Sequence, residues 1–114
     1  MKVVVLDQVV ERHRPLMTIL AEKRHTHVFC AQTAKFMEEV DFGAPDRVLM
    51  DVPSWRHGAH IYKYFELGRK LEEIPIVFYN APVGFVSIRG RRRHELDRVL
   101  PENSGMELLA EAID

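Results

Sequence analysis

The sequence predicts an α/β fold in which a five-stranded parallel sheet lies between two layers of helices. Two observations predict this class: five short apolar runs occur along the chain, and stretches with helical spacing of apolar residues separate them. Right-handed crossovers between parallel strands then place helices on both faces of the sheet. A third observation is size, because 114 residues, 46% of them apolar and 29% charged, fit one globular domain spanning residues 1–114.

The predicted strands are short and apolar, as expected for strands buried on both faces. They are Lys2–Leu6, His27–Ala31, Arg47–Met50, Ile74–Tyr79 and Arg98–Leu100. The predicted helices are Val9–Lys23, Gln32–Val40, Ala59–Leu71, Phe85–Glu95 and Gly105–Ile113. Pro15 is expected to kink the first helix or to limit its first turn, and Thr33 and Ser104 are candidate N-caps. The residues Val52–Gly58 are predicted to form a loop rich in turns.

Charge and cysteine usage exclude several classes of protein. The net charge of −1 provides no bulk attraction to nucleic acid or to an anionic membrane. Cys30 is the only cysteine, which excludes an internal disulfide and fits a reducing cytoplasm. Every apolar run is too short to span a bilayer, so a cytoplasmic location is expected.

Polar residues follow four of the five predicted strands. They are Asp7 with Gln8, Asp51, Asn80 and Glu102. Ligands of open parallel sheets bind outside the carboxyl ends of the strands. We therefore expect these side chains to meet in one small, mostly acidic pocket.

Four segments of the chain resemble the receiver domains of response regulators, of the chemotaxis-regulator kind. The segments are KVVVLDQ, APDRVLMDV, IPIVFYNA and LDRVLPENSGMELLAEAI. The resemblance implies a flavodoxin-like three-layer sandwich that works in two-component signal transduction and phosphorelay. It places the phosphoacceptor position at Asp51, the first acidic position at Asp7, and the two switch positions at Asn80 and Val99.

The chain departs from the receiver pattern at positions that the family uses for phosphorylation. Gln8 stands where a second acidic residue supplies a carboxylate ligand to Mg²⁺, which prefers anionic oxygens. Glu102 stands at the lysine position, where a carboxylate repels a phosphoryl group. Val99 replaces the aromatic switch residue. These changes predict a pseudo-receiver in which a Mg²⁺ site at Asp7 and Asp51 is weakened.

A basic run follows the fourth predicted strand and contains Arg89, Arg91, Arg92 and Arg93. In receivers this region belongs to the partner or dimer face, formed by the helix before the fifth strand, that strand and the last helix. Arginine suits such faces because its planar fork pairs carboxylates in a bidentate manner. Few aromatic residues are interleaved with the run, so nucleic-acid binding is not expected.

Three functional hypotheses follow. The first is a non-enzymatic, receiver-like module that acts on a signalling partner or output domain by protein contact, without conventional phosphorylation. The second is a working receiver, phosphorylated on Asp51 by a histidine kinase, with Asp7 and Asp51 holding Mg²⁺. The third is a small flavodoxin-like ligand-binding domain or enzyme, although no glycine-rich phosphate loop follows the first strand. The length leaves almost nothing beyond one receiver-sized unit, so output is expected from a partner or from further chain.

Overall fold

Five parallel strands form one sheet in the computed structural model, which describes residues 1–59 and 71–113. The strands are β1 (Lys2–Leu6), β2 (Thr26–Cys30), β3 (Arg47–Asp51), β4 (Ile76–Ala81) and β5 (Arg98–Pro101). Their order across the sheet is β2-β1-β3-β4-β5. This order confirms the predicted parallel sheet and places the carboxyl ends of β1, β3 and β4 side by side.

Helices cover both faces of the sheet, as predicted. They are α1 (His13–Glu22), α2 (Thr33–Phe42), α3 (Val52–Ala59) and α4 (Met106–Ile113), and a 3₁₀ turn at Val10–Arg12 precedes α1. One core cluster packs α2 against one face through Phe36 and Val40. The other packs α1 and α4 against the opposite face through Leu16, Leu20 and Ile113. Within the described residues, no helix has the length and apolarity needed to cross a membrane.

Strand β4 begins and ends two residues later than predicted, and this shift determines the geometry of the site. The amide of Ile76 donates a hydrogen bond to the carboxylate of Asp97 at 2.8 Å, which fixes the start of the strand. The strand then continues through Asn80 to Ala81. Asn80 therefore lies inside β4 and not after it.

A β-bulge interrupts the pairing of β4 with β5. Phe78 pairs with Val99 and Ala81 pairs with Pro101, so three steps along β4 match two along β5. Asn80 lies within this bulge and has a φ of +55°. This is the left-handed region, which Asn tolerates better than most residues. Such bulges redirect side chains, and this one lies at the functional edge of the sheet.

The predicted loop at Val52–Gly58 is wrong, because α3 begins directly after β3. The side chain of Asp51 accepts a hydrogen bond from the backbone N–H of Ser54 at 3.1 Å, three residues later. This is the geometry of an N-cap, and Pro53 fits the first turn of a helix. The turn-forming composition of the segment concealed a short helix that is capped by the strand-end aspartate.

Two predicted caps were also wrong. Helix α2 begins at Thr33 itself, whose hydroxyl is buried against Gly58 of α3 and has no hydrogen-bond partner. The hydroxyl of Ser104 donates backwards to the carbonyl of Pro101 at 2.8 Å. A Ser or Thr near a helix start can equally bond to the preceding chain, so composition alone does not determine its role.

The helix predicted at Phe85–Glu95 is absent from the described chain, where turns connect β4 to β5. Gly84 and Gly90 have φ values of +83° and +84°, which are incompatible with a continuous right-handed helix. The helix predicted at Ala59–Leu71 falls, except for its two end residues, outside the described residues.

Candidate functional site

The carboxyl ends of β1, β3 and β4 meet at an open cleft of about 360 Å³. The residues lining the cleft are Gln8, Val9, Arg12, Asp51, Pro53, Ser54, Asn80, Glu102 and Asn103. The cleft thus brings together the strand-end residues Gln8, Asp51, Asn80 and Glu102, as the sequence predicts. It also contains a cation, Arg12, which the strand-end pattern does not reveal.

Asp7 is fully buried and its carboxylate is saturated with hydrogen bonds. Arg12 donates from Nε to Oδ2 at 2.8 Å and from Nη2 to Oδ1 at 3.0 Å. The amide of Val9 donates to Oδ1 at 2.9 Å, and the hydroxyl of Tyr79 donates to Oδ2 at 2.7 Å. Each oxygen therefore accepts two bonds, which compensates for the burial of the charge.

Asp51 is similarly enclosed, with 1% of its surface exposed. Oδ2 accepts from the amide of Ser54 and, at 2.6 Å, from its hydroxyl. Oδ1 accepts from Nδ2 of Asn80 at 2.7 Å and lies 3.3 Å from Nη2 of Arg12. The Ser54 hydroxyl in turn accepts from the amide of Gln8 at 2.9 Å, which connects β1 to α3.

Arg12 is the central residue of this network because one guanidinium contacts both buried carboxylates. It lies at the end of the 3₁₀ turn, five residues after Asp7, and 30% of its side chain is exposed. Burial works against its charged form, but the hydrogen bonds and charges of Asp7 and Asp51 outweigh burial and raise the pKa of Arg12. The guanidinium is thus a fixed internal counterion.

Tyr79 connects the site to the core on the α1 side of the sheet. Tyr79 is 4% exposed. Its hydroxyl reaches Asp7 from β4, which is separated from β1 by β3. Burial first, and then the charge and hydrogen bond of Asp7, raise the pKa of Tyr79 above its ordinary value of 10.0. Tyr79 therefore stays protonated and acts as a permanent donor.

The residues at this edge do not suit Mg²⁺ in their present arrangement. Magnesium needs free, hard oxygens in an octahedral shell, whereas the oxygens of Asp7 and Asp51 already accept from Arg12 and other donors. Gln8 contributes no carboxylate. No group of three His, Cys, Asp or Glu side chains placed to hold a metal occurs in the part of the chain that the structure describes. The guanidinium occupies the space between the carboxylates that a cation would otherwise share.

The remaining predicted site residues lie around this network. Gln8 and Glu102 are exposed at the cleft, and Glu102 also borders a second groove beside β5. Val99 is partly buried, packs against the core and lines that second groove. The pocket is therefore less acidic than expected, because Arg12 offsets part of the charge of Asp7 and Asp51.

Arg91 does not belong to an exposed basic face, which corrects one part of the predicted partner face. Its side chain is buried and forms a bidentate ion pair with Asp97 at 2.6 and 3.0 Å. Its other hydrogen bonds reach the carbonyls of Leu71 and Ile74 and the hydroxyl of Ser87. Arg91 thus ties the connection between β4 and β5 to the chain that precedes β4. Arg89, Arg92 and Arg93 are exposed, and their role in a partner face stays a prediction.

Sequence reasoning missed three residues of the site, namely Arg12, Ser54 and Tyr79. A signal existed for Arg12, since a cation in the first turn after β1 lies above the carboxyl edge of the sheet. Ser54 could have been recognised as the third residue after an aspartate that caps a helix. Tyr79 gave no distinct signal, because the strand pattern indicates only that it is buried.

Comparison with solved structures identifies the fold. The chain superposes on the N-terminal domain of a response regulator/sensory box/GGDEF protein from Carboxydothermus hydrogenoformans with a TM-score of 0.65 and 18% identity, covering 99% of this chain and 90% of that one. The pseudo-receiver domain of the CikA protein gives 0.58 and 11%, covering 98% and 92%. The N-terminal domain of a response regulator receiver protein from Methanoculleus marisnigri JR1 gives 0.57 and 17%, covering 98% and 92%.

These similarities show a flavodoxin-like α/β fold of the kind found in response-regulator receiver domains. No protein-family model matches the sequence. No match among curated proteins was found either. The fold therefore confirms the receiver resemblance of the sequence, while the role of the site depends on its own geometry.

Proposed function

We propose that this chain is a receiver-like signalling module of two-component type that acts by protein–protein contact and is not phosphorylated on Asp51. It is one receiver-sized unit without catalytic activity of its own. Its partner is a signalling protein or an output domain. The observation that carries this proposal is the guanidinium of Arg12, which contacts both Asp7 and Asp51.

The chemistry of phosphoryl transfer supports this proposal. Transfer to an aspartate requires a carboxylate oxygen that can attack phosphorus, together with cations that neutralise the phosphoryl oxygens. Both oxygens of Asp51 already have donors, from Asn80, Ser54 and Arg12. The Arg12 charge is engaged by Asp7, and the exposed Glu102 borders the same cleft. An incoming phosphoryl group would meet engaged oxygens and an additional negative charge.

Treatment with acetyl phosphate and Mg²⁺ tests this proposal. We expect the intact mass of the wild-type chain to remain that of the untreated protein, as in the matched Asp51→Ala variant. A chemotaxis receiver treated in parallel verifies that the donor is active. A gain of one phosphoryl group in the wild type that is lost in Asp51→Ala would overturn the proposal.

A working receiver is the second candidate, and one observation favours it. Asp51 ends β3 and lines the open cleft, where a phosphodonor could approach it. In that case a histidine kinase would be the donor, and Arg12 would have to move from Asp51 before transfer. The same mass measurement distinguishes the two candidates.

A further inference from the structure

The outer face of α2 ends in an aromatic side chain that is almost fully exposed to solvent. The inner face of this helix packs on the sheet through Phe36 and Val40. Phe42, the last residue of the helix, is 85% exposed. Glu38 and Ala34 precede it at intervals of four residues, and both are exposed, so the three side chains form one row along the helix. Rows of this kind are the surfaces on which a second helix packs.

The turn that follows Phe42 is fixed at both of its ends. The amide of Gly43 donates to the carbonyl of Glu39 at 2.8 Å. A Cβ atom at Gly43 would lie 2.5 Å from that carbonyl oxygen, so only glycine fits there. Asp46 and Lys2 exchange two hydrogen bonds of 2.8 Å, which tie the end of the turn to the start of β1. The aromatic side chain is therefore presented from a preorganised turn, which lowers the entropy lost on binding.

Ala44 is a second unfavourable feature of the same turn. Its φ of +45° lies in the left-handed region, which is uncommon for alanine. Pro45 follows it, and proline favours an extended conformation in the residue before it. Backbone outliers persist only where the surrounding structure fixes them, and they are concentrated at functional positions. An exposed Phe42 and a strained Ala44 together indicate that this turn makes a contact outside the chain.

The surface around Phe42 is acidic. Residues 38–46 contain four acidic residues and no basic residue. Lys35 pairs with Glu39 at 3.1 Å, and the ammonium of Lys2 lies beside Gly43 as the same carboxylate does. Counting both lysines leaves a formal charge of −2. The last turn of α2 contains no basic residue, so the carbonyl end of the helix dipole adds to the negative potential. This potential favours a basic occupant and repels nucleic acid and anionic membranes.

We propose that the outer face of α2 and the turn after it bind a basic amphipathic helix of a partner protein. The apolar face of that helix covers Phe42 and packs on Ala34, and its lysines or arginines pair with Glu38 and with the carbonyl end of α2. Asp46 directly precedes β3, so Phe42 lies near the amino end of the sheet, whereas Asp51 lies at the carboxyl end. The inference rests on the proposed protein-contact function and names the chemistry of the partner.

Titration of the ¹⁵N-labelled chain with designed peptides tests the proposal. The probe is a helix of about 16 residues with leucines on one face and lysines along both sides of that face. We expect its amide shifts to be concentrated at residues 34–46. We also expect an affinity about tenfold lower when glutamates replace the lysines or serines replace the leucines, and a lower affinity as salt rises from about 0.05 to about 0.5 M.

Matched variants locate the binding. Phe42→Ala and Glu38→Lys should each lower the affinity for the lysine peptide about tenfold. Leu108→Ala and Glu111→Lys change an exposed leucine and an exposed glutamate of α4, on the opposite face of the sheet, and should leave the affinity unchanged. All four positions are exposed, so these variants should fold. Gly43→Ala keeps every side chain of the contact but displaces the turn, and it should also weaken binding, while amide spectra outside residues 34–46 show that the fold is kept.

Three results of the titration would overturn this inference. They are an absence of shifts at residues 34–46 with about 1 mM peptide, an affinity that Phe42→Ala leaves unchanged, and tighter binding of the glutamate peptide. A dimer of the chain that Phe42→Ala dissociates would also overturn it, because the surface would then bind a second copy.

These measurements do not involve Asp51, so failure of this inference can be distinguished from failure of the proposed function. A chain that binds the lysine peptide but gains a phosphoryl group from acetyl phosphate contradicts only the proposed function. A chain that gains no phosphoryl group and binds no peptide contradicts only the assignment of this surface.

Discussion

The guanidinium of Arg12 lies 3.3 Å from the carboxylate of Asp51 while it holds Asp7 in a bidentate ion pair. Two buried negative charges thus share one cation that is part of the chain. A tethered cation is always present at the site and differs in this respect from a dissociable metal ion. This shared internal cation is the basis of our proposal that Asp51 is not phosphorylated.

Replacing Arg12 with alanine should convert this edge of the sheet into a divalent-cation site. The carboxylates of Asp7 and Asp51 would lose their counterion, and the like charges would favour a bound cation. We expect Mg²⁺ affinity to rise at least about tenfold over wild type by calorimetry. Terbium luminescence sensitised by the nearby Tyr79 gives an independent measurement.

The same substitution should lower the free energy of unfolding by about 2 kcal/mol, because it leaves buried carboxylates without a cation, although Arg12 is itself partly exposed. Saturating Mg²⁺ should restore part of this loss by binding only the folded state. Arg14→Ala, an exposed arginine on α1, is the control. Equal metal affinity in Arg12→Ala and Arg14→Ala would show that Arg12 does not compete with a cation. The double variant Gln8→Asp with Glu102→Lys should gain less Mg²⁺ affinity than Arg12→Ala, because Arg12 remains in place.

Tyr79→Phe should destabilise the fold by about 1.5–3 kcal/mol, because it removes one hydrogen bond to a buried carboxylate and leaves the ring in place. The loss should depend on pH. Because the folded state raises the pKa of Tyr79 above 10.0, the unfolded chain loses this proton first as pH rises. The Tyr79 contribution is therefore full below about pH 10 and declines above it.

Urea unfolding of wild type and Tyr79→Phe between pH 7 and pH 11 measures this effect. The difference in unfolding free energy between the two proteins should be constant up to about pH 9 and then shrink. A difference that stays constant through pH 11 would mean that Tyr79 ionises equally in both states.

The described fold follows from the sequence to a large extent, and the site follows in part. Runs such as VVVL and RVLM indicate buried strands, and the carboxyl edge of a parallel sheet then brings Asp51 and Asn80 together. The position of Arg12 after β1 indicates a cation near this edge, but its contact with Asp7 could not be deduced, because the contact depends on a 3₁₀ turn before α1. The bulge at Asn80 also lacks a clear signal, since it arises from the mismatch between β4 and β5 and not from local propensity.

The basic run shows why charge alone did not determine exposure. Arg91 and Arg92 are consecutive residues of the same type, yet Arg91 is buried and Arg92 is exposed. The difference comes from Asp97 and from the carbonyls of Leu71 and Ile74, which accept hydrogen bonds from Arg91 and lie near it only in the folded chain. We expected Arg91 on an exposed helical face. It is instead buried, because it pairs with Asp97 and donates to buried backbone carbonyls.

Asn80→Ala should lower the free energy of unfolding more than Asn80→Gly, although both variants remove the hydrogen bond to Asp51. The residue has a φ of +55°, which costs alanine about 1 kcal/mol more than glycine. Glycine adopts this conformation readily but adds entropy to the unfolded chain, so the two variants should differ by about 0.5–1 kcal/mol in unfolding free energy.

Arg91→Ala should destabilise the fold more than any other arginine substitution in the basic run. It leaves Asp97 buried without a cation and exposes two carbonyls to an unfilled space, at a cost of about 3–5 kcal/mol. Arg92→Ala, one residue away and exposed, should change the unfolding free energy by less than about 0.5 kcal/mol. The double variant Arg91→Met with Asp97→Leu should recover part of the loss, because no lone charge remains.

The pH dependence of the same pair gives a second measurement. Burial raises the pKa of Asp97, but the hydrogen bonds and charge of Arg91 and the amides of Ile76 and His94 outweigh burial and lower it. Because the pKa of Asp97 is lowered in the folded state, the pair contributes to the free energy of unfolding above about pH 4, and this contribution declines as pH falls further. Wild type should therefore lose more stability between about pH 5 and about pH 3 than the Arg91→Met, Asp97→Leu variant, as measured by urea unfolding. Equal acid sensitivity of the two proteins would show that the pair does not stabilise the connection between β4 and β5 through its charges.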